Sequence, residues 1–293
     1  IETLGNVSVV CTDKTGTITK NEMAVSELYV NNETIKVTGE GFSTKGSFLL
    51  NNKKIDPKEF SLLLEAGASC NNALLSNIGD PTEIALLISA AKANVKKIEH
   101  RIHEIPFDSE RKYMVTEHQL HSKNISYIKG APKEVLGLCR YIKIKNKILP
   151  LSDYKKEILE KNSEMAKKAL RVLAMAYKEN NKTIFLGLQG MIDPPRKEVK
   201  NSIELCKDAG IRVIMITGDQ KLTAQSIARE VGIRGEVMGG DEIDKLSNSQ
   251  LKKALETVNI FARASPQHKV RILTILQKQK EVVDSILNGE FNQ

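Results

Sequence analysis

Tryptophan is missing from this chain, and aromatic residues make up only 4% of its 293 residues. A platform for single-stranded nucleic acid depends on stacked aromatic rings, so nucleic acid is disfavoured as a partner. The four cysteines, Cys11, Cys70, Cys139 and Cys206, are far apart and form no CxxC pair. Zinc and dithiol motifs are excluded on that ground, and the reading is free, mostly buried thiols in a reducing compartment. No apolar run approaches the roughly 20 residues that span a bilayer, and no signal-peptide pattern is present. An initiator Met is absent as well. The chain opens on Ile1 and is expected to be a piece of a longer protein.

What is there suffices for a core. Apolar residues make up 41%, and the length suits two domains or one large one. The net charge of +8 suits a small polyanion such as a nucleotide, an anionic surface, or simply a lysine-rich solvated face.

Two segments share one grammar. Val7–Val10 is a β-branched strand candidate that runs into CTDKTGT, and IRVIMI (211–216) is another that runs into Thr217-Gly218-Asp219. Short strands that are apolar on both faces suit a parallel sheet covered by helices. Helices are expected over 196–209 and 221–231, each followed by a glycine, then over 246–258 and 268–279 around a strand at 260–264.

The middle of the chain reads differently. Strands are expected at 28–30, 33–38, 126–129, 143–149 and 183–188, and helices at 57–68, 81–98, 132–139 and 152–168. That pattern is α+β. The economical architecture is an α/β domain that the chain leaves after its first strand, a separate inserted domain, and a return at Asp193-Pro194-Pro195, a rigid hinge.

In an open α/β sheet, ligands bind beyond the carboxyl ends of the strands. Asp13 is expected there. An ionised carboxylate can attack phosphorus and give an acyl phosphate. Its oxygens need donors, and Thr15, Thr17 and Thr217 with the amides around Gly16 and Gly218 offer them. Carboxylate and phosphate repel each other, so Mg²⁺ and a lysine are needed to bridge them. A lone Asp after a strand reads as a turn residue; the string DKTGT with a TGD downstream overturns that.

Those strings resemble the P-type ATPases, ion pumps whose phosphorylation domain belongs to the haloacid-dehalogenase superfamily. Asp13-Lys14-Thr15-Gly16-Thr17 resembles their phosphorylation motif. Lys129-Gly130-Ala131-Pro132, Asp193-Pro194-Pro195-Arg196, Thr217-Gly218-Asp219 and Phe261-Ala262-Arg263 with Pro266, His268 and Lys269 resemble further motifs, in the family's order. KNEM after DKTGTIT, and GDPTE, are most similar to the calcium and sodium/potassium branch.

The resemblance implies a Rossmann-like α/β phosphorylation domain over residues 1–25 and 189–293, with a parallel sheet, and a large inserted α+β nucleotide-binding domain over 26–188. It implies that Asp13 accepts the γ-phosphoryl of ATP, assisted by Lys14, Thr15, Thr17, Thr217, Gly218, Asp219 and Lys269. Mg²⁺ would lie on Asp13 and the Thr15 carbonyl. ATP would be held by Glu83 near the adenine amino group, Phe107 stacked on the ring, Lys112, Lys129 and Gly130 lining the pocket, and Arg171 reaching the phosphates, with Arg263 also among the nucleotide-binding residues. Implied partners are an actuator domain and transmembrane helices at the cytoplasmic face of a membrane. The chain itself is expected to be soluble.

Two features bear on activity. Phosphatases of the superfamily carry a second Asp two positions after the nucleophile as general acid/base. This chain has Thr15, so its aspartyl phosphate is expected to form more readily than it hydrolyses. The pumps' TGDGxND motif is not found after Val283, and Mg²⁺ affinity and phosphorylation are expected to be weak for that reason. The alternatives are a nucleotide-binding regulator and a haloacid-dehalogenase-type phosphatase.

Overall fold

The structure, a computed structural model, describes residues 7–39, 41–76, 78–120, 123–278 and 283–286. It divides into two compact units. Glu22–Asp193 forms one, and the described residues up to Asn21 and from Pro194 onward form the other. The chain begins in the second with β1 (Val9–Asp13).

The Glu22–Asp193 unit opens with β2 (Ala24–Val30), β3 (Glu33–Val37), β4 (Phe48–Leu50) and β5 (Lys53–Ile55), then α1 (Ser61–Ser69) and α2 (Pro81–Lys92). It continues through β6 (Arg101–Ile105), β7 (Tyr113–Leu120), β8 (Lys123–Gly130), α3 (Pro132–Leu138), β9 (Tyr141–Ile144), β10 (Lys147–Pro150), α4 (Lys155–Lys167), β11 (Arg171–Glu179) and β12 (Lys182–Ile192). These strands build an 11-stranded sheet with the main order β5-β4-β3-β2-β12-β11-β8-β7-β6, antiparallel along that path.

Asparagine makes its hairpins. Asn31-Asn32, Asn51-Asn52 and Asn180-Asn181 all have positive φ and join β2 to β3, β4 to β5 and β11 to β12. Two left-handed residues in a two-residue loop match the twist of the flanking strands, and Asn tolerates that conformation best after Gly. A single left-handed residue corrects the expected single strand at 143–149. Lys145 has φ +52, and the segment folds into the antiparallel hairpin β9–β10. The expected helix 81–98 stops at Lys92, because Asn94 turns left-handed (φ +55) and Val95 N donates back to Ala90 O at 3.0 Å.

Helices cover both faces of this sheet. Met175 and Tyr177 of β11 pack with Leu63, Leu64, Leu86 and Ile88 of α1 and α2. Ala174 and Ala176 face the other way, onto Val135, Leu136, Ile158 and Met165 of α3 and α4. A strand buried on both sides carries no polar alternation, so LAMAY gave no period-two signal.

The second unit resumes with α5 (Val199–Asp208), β13 (Arg212–Ile216), α6 (Lys221–Val231), β14 (Glu236–Gly239), α7 (Gly240–Lys245), α8 (Asn248–Ala254), β15 (Val258–Ala262), α9 (Pro266–Lys278) and β16 (Val283–Ile286). The expected helix 246–258 is realised as α8 alone, and a separate short helix, α7, which was not expected, precedes it. The two are separated where Leu246 turns extended and Ser247 caps α8, its Oγ accepting from Gln250 N while Gln250 Oε1 accepts from Ser247 N. Among the described residues the sheet has five strands in the order β14-β15-β13-β1-β16, all pairs parallel. In register, Asp13 lies beside Ile216, and Ile216 beside Phe261. The ends of β1, β13 and β15 therefore lie side by side at one rim.

Candidate active site

Asp13 is the last residue of β1, the strand between β13 and β16. Its Oδ1 accepts from Thr15 N at 3.2 Å. Lys14–Ile18 then form one wide turn, closed by Thr19 N donating to Lys14 O at 2.9 Å. Gly16 stands in this turn at φ +77, where a side chain would be strained. Two residues not foreseen from the sequence hold the turn in place. Thr19 is fully buried, and its hydroxyl donates to Lys14 O at 3.1 Å while accepting from Gly16 N at 3.4 Å. Arg196 donates its backbone N–H to Ile18 O at 2.9 Å and Nη2 to Gly16 O at 3.2 Å. Their only signal was position, inside the strings DKTGTIT and DPPR.

Two lysines flank the acid, and both are buried. Lys269, in the first turn of α9, places Nζ 2.6 Å from Asp13 Oδ2. Lys14 places Nζ 2.6 Å from Asp219 Oδ2. A buried lysine is retained when a carboxylate compensates its desolvation, and here each has one. The loops after β13 and β15 are stitched together. Thr217 N donates to Phe261 O at 2.8 Å, Ala264 N to Thr217 O at 2.9 Å, and Arg263 N to Asp219 O at 2.7 Å. Thr217 Oγ1 accepts from Asp219 N at 3.2 Å, which leaves its hydroxyl proton to donate. A Cβ on Gly218 would find its nearest protein atom, Ala264 O, at 4.0 Å, so the space beside this backbone is open. The rim thus presents a carboxylate, two ammonium groups, hydroxyls and accessible backbone: groups that bind and attack phosphate.

Within the Glu22–Asp193 unit, Glu83, Lys129 and Arg171 come together around the first turn of α2. Asp80 caps α2, accepting from Thr82 N at 2.8 Å and Glu83 N at 3.3 Å, with Pro81 as its first residue. This fixes Glu83 in the first turn. Its Oε1 lies 2.5 Å from Nζ of the buried Lys129, and its Oε2 accepts from Asn72 N at 3.0 Å. Arg171 Nη1 donates to Thr82 Oγ1 at 3.1 Å in that same turn. Lys112 has φ +59 and lies 3.7 Å from Glu134 Oε1. Gly130 has a packing reason: a Cβ there would meet Lys112 O and Tyr113 Cβ at 2.5 Å.

Phe107 is 62% exposed, on the loop between β6 and β7. Its neighbour Asp108 braces that loop, accepting from Glu110 N and Arg111 N, both at 2.9 Å. The two amides, Arg111's first, hold the Asp108 carboxyl below its ordinary range. Beside Glu83, the Asn72 amide and then the Arg101 guanidinium do the same for Glu104. Asn72, Arg101 and Asp108 were not foreseen; nothing in their local spacing marks them. Arg263, expected with the nucleotide residues, is part of the other unit, beside Asp219.

The family model for the P-type ATPase cytoplasmic domain N matches residues 47–198. This chain belongs to that family. The match centres on the unit that carries Glu83, Phe107, Lys129 and Arg171. Similarity to P-type ATPases runs further than the N domain. The chain is 41% identical to calcium-transporting ATPase 1 of Bacillus cereus, with 99% of this chain and 34% of that protein covered. It is 37% identical to calcium-transporting ATPase 1 of Lactococcus lactis, covering 96% and 33%. Against the human calcium-transporting ATPase type 2C member 2 the identity is 37%, covering 97% and 32%. The chain thus spans about a third of the length of these P-type ATPases. Among the described residues no helix is long and apolar enough to cross a membrane, and the matched domain is a cytoplasmic one.

Among the described residues no group of three or more His, Cys, Asp or Glu forms a metal cluster. The oxygen donors at Asp13 and Thr15 still fit Mg²⁺, which takes one or two carboxylates from protein and completes its shell with water and phosphate oxygens.

Proposed function

We propose that this P-type ATPase chain binds ATP in the Glu22–Asp193 unit and accepts the γ-phosphoryl on Asp13. The unit that holds Asp13 would be a phosphorylation domain of the haloacid-dehalogenase type. The observation that carries the reading is Asp13 itself: a carboxylate at the carboxyl end of a central parallel strand, held against the buried Lys269 at 2.6 Å.

In the proposed step, one Asp13 carboxylate oxygen attacks the γ-phosphorus. The bond from that phosphorus to the β–γ bridging oxygen breaks, and ADP leaves with the electron pair. The product is an acyl phosphate on Asp13. Lys269 and Lys14 offset the charge of the incoming phosphoryl group, and Thr217 with the open backbone at Gly218 donates to its oxygens. Asp13 and the Thr15 carbonyl would hold Mg²⁺, which when bound neutralises phosphate charge. Thr15 is no base near neutral pH, so the acyl phosphate persists.

In the other unit, Phe107 would stack on adenine, with Glu83 near its amino group. Lys112 and Lys129 would line the pocket, and Arg171 would reach the phosphates. Arg263, beside Asp219, would meet the phosphates at the acceptor end. In the full-length protein the cycle would be coupled to cation transport through an actuator domain and membrane helices. The names of the relatives favour calcium as the ion.

The test is acid-stable labelling with γ-phosphate-labelled MgATP. Label should appear, be released by hydroxylamine, vanish on chelation of Mg²⁺ and be absent in Asp13→Asn. Label retained in Asp13→Asn would refute the assignment.

A further inference from the structure

Lys269 carries the closest charge to Asp13, yet a lysine side chain is long and its placement depends on the helix below it. We propose that α7 fixes that helix, and that Asp244 acting on His268 is the positioning device. The proposal rests on the reading that Asp13 takes a phosphoryl group.

His268 precedes Lys269 in the first turn of α9. Its Nδ1 accepts from Ser265 N at 3.1 Å, and its own N donates to Ser265 Oγ at 3.3 Å. This is a capping box in which an imidazole takes the place of the usual Glu or Gln. Because Nδ1 accepts, the ring proton is on Nε2, which donates to Asp244 Oδ1 at 2.8 Å. Both ring nitrogens are committed, so the ring has one orientation and one tautomer.

Three residues on, Arg271 of α9 grips the C-terminal end of the same short helix and the start of α8. It donates Nη1 to Ile243 O at 2.9 Å, Nη2 to Leu246 O, and Nε to Asn248 Oδ1 at 2.9 Å. Positions 268 and 271 share one helix face. Lys269 projects from a neighbouring position to Asp13.

The short helix α7 is itself a fixed post. Ile243 is fully buried. Glu242 Oε2 accepts from Gly239 N at 2.6 Å and from Lys221 Nζ at 2.5 Å. Lys221 begins α6, the helix that follows Thr217-Gly218-Asp219. Gly240 permits the close approach, since a Cβ there would lie 2.3 Å from Arg263 O and 3.0 Å from His268 Cε1. α7 therefore ties together the helices behind both lysine–carboxylate pairs. Asp244 is largely exposed, so its pair adds little to global stability. What it supplies is placement.

With the full chain, Asp244→Ala should slow acyl-phosphate formation from MgATP by about ten- to hundredfold. The dissociation constant for ATP should stay unchanged. Asp244→Asn keeps an oxygen that accepts from Nε2 and should keep the wild-type rate. In a Lys269→Ala background, Asp244→Ala should add nothing further; full additivity would overturn the proposal. A second readout needs no nucleotide. The ¹³C resonance of the Asp13 carboxyl should move in Asp244→Ala in the direction it moves in Lys269→Ala, and stay in place in Asp244→Asn. A resonance unmoved by Asp244→Ala would also overturn the proposal. If that resonance responds as expected but the wild-type chain takes no label from MgATP, the reaction assignment fails and the positioning role stands.

Discussion

Lys269 Nζ and Asp13 Oδ2 lie 2.6 Å apart although 256 residues separate them in the chain. Both side chains are shielded from solvent, so their attraction is weakly screened and each depends on the other.

Removing the lysine should therefore show twice. Lys269→Met leaves a shielded carboxylate without its cation and should destabilise the unit by about 3 kcal/mol. It also removes a donor from the place where phosphoryl charge would arrive, and should slow labelling of Asp13 by about 10²- to 10³-fold. Urea unfolding and rapid acid quench measure the two effects separately.

Phe107 offers the opposite combination. Its ring is mostly in solvent, so Phe107→Ala should change stability by less than about 0.5 kcal/mol. If the ring stacks on adenine, ATP affinity should fall by about 1–3 kcal/mol, the range for a base stacked on an aromatic side chain. Calorimetric titration of both chains with ATP decides; equal affinities would remove Phe107 from the nucleotide site.

Gly16 stands at φ +77, between the acid and Thr19. Gly16→Ala should cost about 1–2 kcal/mol of stability from the left-handed backbone alone. It should slow labelling of Asp13 further, because the turn that carries Thr15 and Thr17 would shift. Thermal unfolding and the labelling rate check both.

The cysteines predict an alkaline limit. Burial pushes the Cys11 and Cys139 thiols from 9.0 up to about 12, and raises Cys70 as well. Between those values the unfolded chain has released protons that the folded chain still holds. Stability is then fully present below pH 9 and falls as pH rises toward 12, at about 1.4 kcal/mol per pH unit for each such group. Urea midpoints under reductant should be flat to about pH 8 and drop above pH 9. In native protein near pH 8, Cys206, the half-buried one, should be alkylated before the other three.

The sequence by itself determined the local events. β-branched runs ending in a lone acid marked β1, glycine marked the ends of α5 and α6, and ordered short motifs marked the family. These signals are legible because backbone sterics, capping and strand burial act within a few residues. Hairpin turns were partly hidden. Asn-Asn is a recognisable loop, but Lys145 takes the left-handed conformation against its own preference, and β9–β10 read as one strand until folded.

Only the tertiary structure decided the partnerships. Nothing near Asp13 in sequence names Lys269, and nothing near Glu83 names Lys129. Nor does the string GDEID announce that Asp244 will hold the imidazole beside Lys269. Ion pairs and hydrogen bonds of this kind join side chains brought together by strands and helices far apart in the sequence. Their geometry is set by how whole elements pack, which no local pattern encodes.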